Sequence, residues 1–155
     1  MASRVLVALR VRADRERAFT AFTREIGAWW RPNGLFELTS ADTRSLRFEP
    51  IPHGRLLMTQ ADGTDYEMGR IEVWNPPSEL VFSWRPQSFA PDQTTSVRVR
   101  FELAGDETRV TVEHTGWDAI PREHAARHAI ELRVFQQRLA EWWQELLGEL
   151  ARRAG

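Results

Sequence analysis

The stretch Leu132–Leu150, LRVFQQRLAEWWQELLGEL, decides the fold. Its apolar residues recur every three or four positions, which is the spacing of one face of an α-helix. From Arg122 to Arg153 the sequence holds no Pro and a single Gly, Gly148, so we predict one long C-terminal helix over that range. The apolar stripe of this helix, which another surface must cover, comprises Leu132, Phe135, Leu139, Trp142, Leu146 and Leu150.

Short strands precede the helix and offer that surface. An opening strand, Val5–Val11, alternates apolar and wetter positions, and a first helix capped by Asp14 is expected to end near Gly27. In the hairpin of the last two strands one face is apolar and the other charged, as in an antiparallel sheet covered on one side. The expected order is strand, helix, about six antiparallel strands and a long helix, with the later strands at Leu46–Glu49, Arg55–Thr59, Glu67–Trp74, Leu80–Arg85, Ser96–Leu103 and Arg109–Thr115.

The composition is that of an ordinary globular protein. The 155 residues are 42% hydrophobic and 28% charged, and we expect them to form a single domain over residues 1–155. The formal net charge of −1 gives no reason to expect a nucleic acid as a partner. No apolar run is long enough to insert into a membrane, and the N-terminus is predicted to be a strand rather than a signal peptide, so the expected location is the cytoplasm.

Several kinds of chemistry are excluded by residue types that the sequence lacks. It contains no Cys, which rules out disulfides, thiolate nucleophiles and sulfur metal sites. All 21 basic residues are Arg, so no Lys can form a Schiff base. Nucleotide-binding glycine loops and the serine nucleophile elbow are also missing. We therefore predict no cofactor.

Four stretches together resemble one known superfamily, the SRPBCC or START-like proteins, and within it the bacterial relatives of the activator of Hsp90 ATPase. These stretches span almost the whole sequence, and their order and spacing carry the resemblance more than any single motif. They are AFTAFTREIGAWWRP (Ala18–Pro32), GRIEVWNPPSELVFSW (Gly69–Trp84), TSVRVRFELAGDETRVTVEHTGW (Thr95–Trp117) and LAEWWQELLGEL (Leu139–Leu150).

The resemblance implies an α+β helix-grip fold, also called START or Bet v 1-like, in which a curved antiparallel sheet wraps around a long C-terminal helix. It also implies a hydrophobic cavity between the sheet and that helix. Members of the superfamily bind lipids, hormones, polyketides or other apolar small molecules, and a minority are cyclases, aromatases or hydrolases. The eukaryotic relatives that act on Hsp90 have an additional N-terminal domain, which this sequence lacks, so the resemblance supports chaperone contact only weakly.

Ten residues are candidates for lining the cavity. Trp84 shares its parity with Leu80 and Phe82 along a predicted strand, so its ring is expected to face the helix and could stack on an apolar ligand. The same ring could equally be an ordinary part of the core. The candidates for ligand binding are Trp30, Phe36, Glu67, Phe82, Trp84, Phe101, His114, His128, Leu132 and Phe135.

Two titratable residues are candidates for catalysis. His114 shares its parity with Val110 and Val112, which places the ring on the buried face, where it could transfer a proton, orient a ligand or simply be satisfied by a neighbour. Glu67 shares its parity with Ile71, and if that side faces inward it lies in the cavity with a raised pKa. If Met68 faces inward instead, Glu67 is exposed. The sequence favours the first alternative slightly.

A histidine pair at His124 and His128 raises the question of a metal site. On the predicted C-terminal helix both rings would lie on one side, and His114 could add a third ligand. The metalloprotease signature requires Glu directly after the first histidine, and Ala125 stands there instead. We therefore predict no metal, while His128, one heptad before Phe135, is expected to reach the mouth of the cavity.

Three functions remain open. The leading hypothesis is a non-catalytic protein that binds an apolar or amphipathic small molecule. The second is an enzyme of the cyclase or hydrolase kind that uses His114 or Glu67. The third is a chaperone-related or self-associating module, in which Trp143 and Leu147 exceed what one core can cover and form a homodimer contact.

Overall fold

The computed structural model describes residues 4–31, 46–60, 62–86 and 89–155. Its helices are α1 (Arg15–Arg24), α2 (Ile26–Trp29) and α3 (Leu132–Ala154). Short 3-10 turns lie at Trp117–Ala119 and Ala125–Arg127. The strands are β1 (Arg4–Val11), β2 (Leu46–Phe48), β3 (Arg55–Thr59), β4 (Asp65–Asn75), β5 (Glu79–Trp84), β6 (Thr95–Ala104) and β7 (Glu107–Thr115).

One curved antiparallel sheet contains the seven strands of the described ranges, in the order β1-β7-β6-β5-β4-β3-β2. The long helix α3 packs on the concave side, together with α1 and α2. The register places Val97 opposite His114 and Val99 opposite Val112, and all four side chains are buried on this side. The α+β class, the strand order along the chain and the helix gripped by the sheet are confirmed.

Strand β4 departs from simple alternation. Its register shifts once against β3, between Leu56 and Leu57, and once against β5, between Ile71 and Val73. Such bulges insert an extra residue and turn the following side chains to the other face. Met68 and Ile71 are both buried, three residues apart rather than two. The expectation that Glu67 faces inward is therefore wrong, because a parity count across β4 ignores the bulges.

Gly69 lies within this irregular part of β4 and has a steric role. A Cβ atom at this position would lie 1.7 Å from the carbonyl oxygen of Ser83 on β5. Any side chain would therefore force the two strands apart. The bulged pairing of β4 with β5 depends on glycine here.

Helix α1 begins as the sequence predicts. The Asp14 carboxylate accepts a hydrogen bond of 2.7 Å from the backbone N–H of Arg17, which caps the helix. The helix ends at Arg24, slightly earlier than expected, and the single turn α2 follows it. Arg17 and Arg153 both contact the carboxylate of Glu25, so ion pairs join α1 to the end of α3.

The prediction for α3 is wrong at its N-terminal end. The helix begins at Leu132 rather than Arg122, and turns occupy the preceding segment. His128 and Ala129 have φ values of 51° and 57°, in the left-handed region that an α-helix cannot contain. His124 and His128 are consequently not neighbours on one helix face, and the geometry assumed for a histidine pair does not exist. The apolar stripe from Phe135 onward is buried as predicted.

None of the helices in the described residues is long and apolar enough to cross a membrane.

Candidate functional site

Five indole rings form the centre of the concave side. Trp30 is fully buried, and the ring centroids of Trp29, Trp84, Trp142 and Trp143 lie 5.6, 5.2, 5.3 and 5.5 Å from its own. The contacts are tilted or edge-to-face, the arrangements that the quadrupoles of aromatic rings favour. These five residues are called the tryptophan cluster below. They come from α2 and the residue after it, from the end of β5 and from the middle of α3.

The indole N–H groups of this cluster differ in their hydrogen bonding. Trp29 donates to the carbonyl of Ala21, and Trp142 donates to the carbonyl of Arg31, each over 2.8 Å. The Nε1 atom of Trp30 is buried, and no acceptor among the described residues lies within hydrogen-bonding distance of it. A buried donor without an acceptor costs about 1–3 kcal/mol. The indole N–H of Trp30 is therefore a buried hydrogen-bond donor that the described residues leave unsatisfied in apolar surroundings.

His114 lies next to the tryptophan cluster and is 1% exposed. Its Nδ1 is 3.1 Å from the indole nitrogen of Trp143, and its Nε2 is 3.1 Å from that of Trp117. Nε2 is also 2.9 Å from the hydroxyl oxygen of Thr95. Burial disfavours the charged imidazolium and lowers the pKa of His114 to about 3, so the ring is neutral at physiological pH.

A neutral imidazole cannot satisfy both of these indoles. The Thr95 hydroxyl donates to the carbonyl of Trp84, so its oxygen is free to accept a hydrogen from Nε2 of His114. When the hydrogen is on Nε2, Nδ1 accepts from the N–H of Trp143. The N–H of Trp117 then points at the Nε2–H group, which is itself a donor and cannot accept. In the other tautomer Nε2 accepts from Trp117, and the N–H of Trp143 is the one without an acceptor on the imidazole. Either way, one indole N–H beside His114 lacks an acceptor on the imidazole.

Backbone geometry brings Trp117 back under His114. Gly116 has a φ of 102°, in the left-handed region that favours glycine, and turns the chain at the end of β7. A Cβ atom there would also lie 3.2 Å from the Cα of Thr95. The Trp117 ring then packs against Phe135 of α3, with centroids 4.8 Å apart.

Arg127 closes the segment between β7 and α3. Its side chain lies over the ring of Phe135, with 5.2 Å from the guanidinium carbon to the centroid. It donates to the carbonyls of Ile120 and Ile130 over 2.8 and 2.6 Å. The residue is only 4% exposed, and burial lowers the pKa of Arg127. One cation thus ties the start and the end of this segment together beside the aromatic interior.

A second group of rings lies closer to α1 and is called the phenylalanine cluster: Phe19, Phe22, Phe82 and Phe101. Phe101 lies 5.1 Å from Phe19 and 6.0 Å from Phe22, measured between centroids. Phe22 also contacts Trp29 at 5.0 Å, which joins the two clusters. Of the two members predicted to line a cavity, Phe101 therefore packs against α1. Phe82 lies 6.3 Å from Phe22 and closer, at 5.1 Å, to Phe48 of β2.

The predicted site residues separate into those the fold brings together and those it does not. Glu67 points outward, with a side chain 38% exposed that contacts Arg70 over 3.1 Å. His128 is exposed in the segment before α3, and Leu132 is half-buried at the start of that helix. Phe36 lies outside the described residues. The interior set comprises Trp30, Phe82, Trp84, Phe101, His114 and Phe135, and the roles of all ten residues in ligand binding stay predictions.

Sequence reasoning missed the indoles that touch His114. Trp143 is 1% exposed and Leu147 is fully buried, so the expectation that they exceed what one core covers is wrong. Trp117 was not a candidate, although its position three residues after a predicted buried histidine was a usable signal. Thr95 was missed because nothing in the sequence indicates that its hydroxyl meets His114.

An open surface cleft of about 430 Å³ lies away from the tryptophan cluster, at the β4–β5 turn and the start of α1. Arg15 donates to the hydroxyl of Ser78 there, and Glu79 contacts Arg100 at its rim. Phe101 is the one predicted site residue among those that line it. The cleft is polar and exposed, unlike the expected cavity.

The architecture defines a class: a curved antiparallel sheet that holds a long C-terminal helix is the helix-grip arrangement of the SRPBCC superfamily. Over residues 12–155 the sequence matches the family described as activator of Hsp90 ATPase homolog 1-like protein. The protein belongs to this family. None of the curated proteins matches the sequence significantly.

Solved structures of similar fold come from distant organisms. A protein from Mesorhizobium loti is 16% identical with a TM-score of 0.65, covering 97% of this chain and 95% of that one. An HSP90 activator from Plasmodium falciparum is 17% identical with a TM-score of 0.61, covering 95% and 92%. The Aha1 dimer from Colwellia psychrerythraea is 15% identical with a TM-score of 0.60, covering 98% and 96%. At these identities the likeness concerns the fold alone.

Proposed function

We propose that the protein binds an apolar or amphipathic small molecule, without catalysis, at the tryptophan cluster between the sheet and α3. The observation that carries this proposal is the cluster itself, five indole rings on the concave side. At its centre the Trp30 N–H has no acceptor within the described ranges. Ligand sites in proteins are mostly apolar and aromatic, with a few polar groups that fix orientation. The cluster has that composition.

Burial of ligand surface against the indoles would supply the affinity. Each square ångström of apolar surface removed from water contributes about 25 cal/mol before the entropy of association is subtracted. Entry of a ligand requires the rings around Trp30 to exchange contacts with each other for contacts with the ligand. Each edge-to-face or tilted ring contact contributes only about 0.5–1.5 kcal/mol beyond its buried area, so contacts with the ligand can replace the stabilisation that is lost.

The geometry of the two catalytic candidates favours binding over catalysis. A general base works best with a pKa near the operating pH, and it must reach the proton that it takes. The pKa of His114 is lowered to about 3 by burial, and both ring nitrogens already face indoles. Glu67 lies on the outer side of β4 and is paired with Arg70. Neither side chain is poised for proton transfer.

Native mass spectrometry of protein purified gently from its own host tests the proposal. We expect an adduct that disappears on denaturation. Trp84→Ala and Phe135→Ala should weaken binding of an apolar fluorescent probe, N-phenyl-1-naphthylamine, at least tenfold. Trp74→Ala is the matched control, since Trp74 is not a member of the tryptophan cluster and its ring contacts Phe19 of α1. Unchanged affinity in folded Trp84→Ala and Phe135→Ala proteins would reject this site.

Self-association is a second candidate, because Leu6 is 54% exposed on the edge strand β1. Edge strands present unpaired backbone groups that readily pair with another chain. The Colwellia psychrerythraea relative is described as a dimer. Sedimentation velocity should then show a dimer that Leu6→Arg dissociates, whereas a monomer at high concentration would exclude it.

A further inference from the structure

We propose that the ligand of the tryptophan cluster is an uncharged molecule that presents an oxygen atom, a carbonyl or an ether, to the indole N–H of Trp30. The inference rests on the proposed function and names the ligand class for the same site. Its basis is an excess of hydrogen-bond donors over acceptors in the interior.

The indoles around Trp30 show how this excess arises. Trp29 and Trp142 are satisfied by backbone carbonyls, of Ala21 and Arg31 respectively. Trp143 competes with Trp117 for a single lone pair on His114, so one of these two N–H groups has no acceptor there. Trp30 has no acceptor at all among the described residues. As far as the described residues go, the surroundings of these indoles are therefore short of acceptors rather than of donors.

This shortage selects among ligand chemistries. A pure hydrocarbon would leave the Trp30 N–H unpaired, and a ligand group that can only donate, such as an ammonium, would meet it donor to donor. An anion would accept the hydrogen bond, but its transfer from water into a surrounding of indole rings is far more costly unless a cation pairs with it. Among the residues that the structure describes, the ring contacts of Trp30 are with other indoles. A neutral oxygen acceptor meets the demand without burying a charge.

The test compares two probes of the same planar skeleton, 9-fluorenone and fluorene, which differ by a carbonyl in place of a methylene. Dissociation constants are measured by equilibrium dialysis for the wild type, for Trp30→Phe and for Trp74→Phe. We expect the wild type to bind fluorenone about five- to tenfold more tightly than fluorene, the effect of one net hydrogen bond. Trp30→Phe should abolish this preference by losing fluorenone affinity only. Trp74→Phe, which removes an indole outside the cluster, should keep it.

A second measurement does not depend on a variant. In ¹H–¹⁵N spectra of the wild-type protein, fluorenone should move the Trp30 indole proton downfield, and fluorene should not. Equal affinity for both probes, or a preference that survives in folded Trp30→Phe, overturns the inference and leaves the proposed function intact. An ordered water that already satisfies Trp30 would give this result. Failure of both probes to bind overturns the proposed function, and the inference with it.

Discussion

The phenylalanine cluster and the tryptophan cluster are equally buried but differ in what they require. The rings of Phe19, Phe22, Phe82 and Phe101 are pure hydrocarbon, so packing alone satisfies them. Every indole of the tryptophan cluster adds an N–H that must find an acceptor. The backbone supplies acceptors to Trp29 and Trp142, and the described part of the chain supplies none to Trp30.

This difference teaches where stability and where recognition reside. A hydrocarbon cluster gains free energy in proportion to the area that it buries, whatever it touches. A cluster with polar groups gains or loses according to whether each group is paired. We therefore expect substitutions in the phenylalanine cluster to change stability, and substitutions at Trp30 to change mainly what is bound.

The largest expected effect tests the phenylalanine cluster. Phe22→Ala should lower the free energy of unfolding by about 3–5 kcal/mol, because it removes buried surface and leaves a cavity between α1 and β6. Urea denaturation measures this loss. Phe22→Leu, which retains most of the volume, should cost clearly less. Similar small losses for both variants would mean that α1 can collapse onto the sheet.

The second effect concerns pH and the histidine beside the tryptophan cluster. The pKa of His114 is about 3 in the folded protein, against 6.5 as its ordinary value, so only the unfolded chain takes up this proton between those values. Stability should therefore fall as the pH drops from about 6.5 towards 3, with this residue contributing a slope of at most about 1.4 kcal/mol per pH unit.

His114→Gln keeps a donor and an acceptor but does not titrate, so its stability should decline less steeply over the same range. Unfolding free energies from pH 7 to pH 4 give the comparison. His53→Asn serves as the control, because His53 is exposed and has a φ of 62°, which Asn tolerates. Parallel curves for His114→Gln and the wild type would contradict the burial argument.

A third prediction separates two indoles of one cluster. Trp142→Phe removes a donor from the carbonyl of Arg31 and should cost about 1–2 kcal/mol beyond the loss of ring area. Trp30→Phe removes a donor that finds no acceptor among the described residues, so it should cost about 1 kcal/mol less than Trp142→Phe, or even stabilise the protein. Thermal and urea unfolding of the two variants measure the difference. Equal losses would show that Trp30 is satisfied after all.

The smallest effect lies outside both clusters. Glu67→Gln should change stability by less than about 1 kcal/mol, because exposed ion pairs such as Glu67–Arg70 contribute little. Probe affinity should also stay the same. A marked loss of affinity in this variant would return Glu67 to the binding site and contradict its outward orientation.

The sequence predicts the elements well because their periodicities are strong. The stripe of α3 and the alternation of β6 and β7 are repeated over many residues, so one irregularity does not hide them. The start of α3 is missed because the segment after Pro121 has helix-forming residues, and its left-handed turn at His128 and Ala129 involves no glycine. Hydrogen bonds from the Arg127 side chain to the backbone carbonyls of Ile120 and Ile130 hold that turn, and hydrophobic periodicity does not show bonds of this kind.

The candidate site is predictable in part. Trp84 and His114 are buried where their parity indicates, since each lies in a regular strand. Trp30, a candidate without a strand parity, is buried as well. The predicted inward orientation of Glu67 is wrong because bulges in β4 interrupt the alternation of side chains between the two faces of the sheet. The predicted exposure of Trp143 is wrong because its position suggests a second helix face, whereas the curved sheet and Trp30 cover that face too. Which indole lacks an acceptor depends on backbone carbonyls far away along the chain, and the sequence does not show them.

Because the Arg127 side chain is anchored, limited proteolysis can detect opening of the segment that covers the aromatic interior. Trypsin cleaves after arginine only when the side chain is free to enter the protease, and Arg127 is held by two carbonyls and the ring of Phe135. Arg122 and Arg133 on either side are both exposed, and Arg122 donates one hydrogen bond, to the carbonyl of Ala129. The rate of tryptic cleavage after Arg127 therefore reports how often the segment between β7 and α3 opens, and it can be measured without a label.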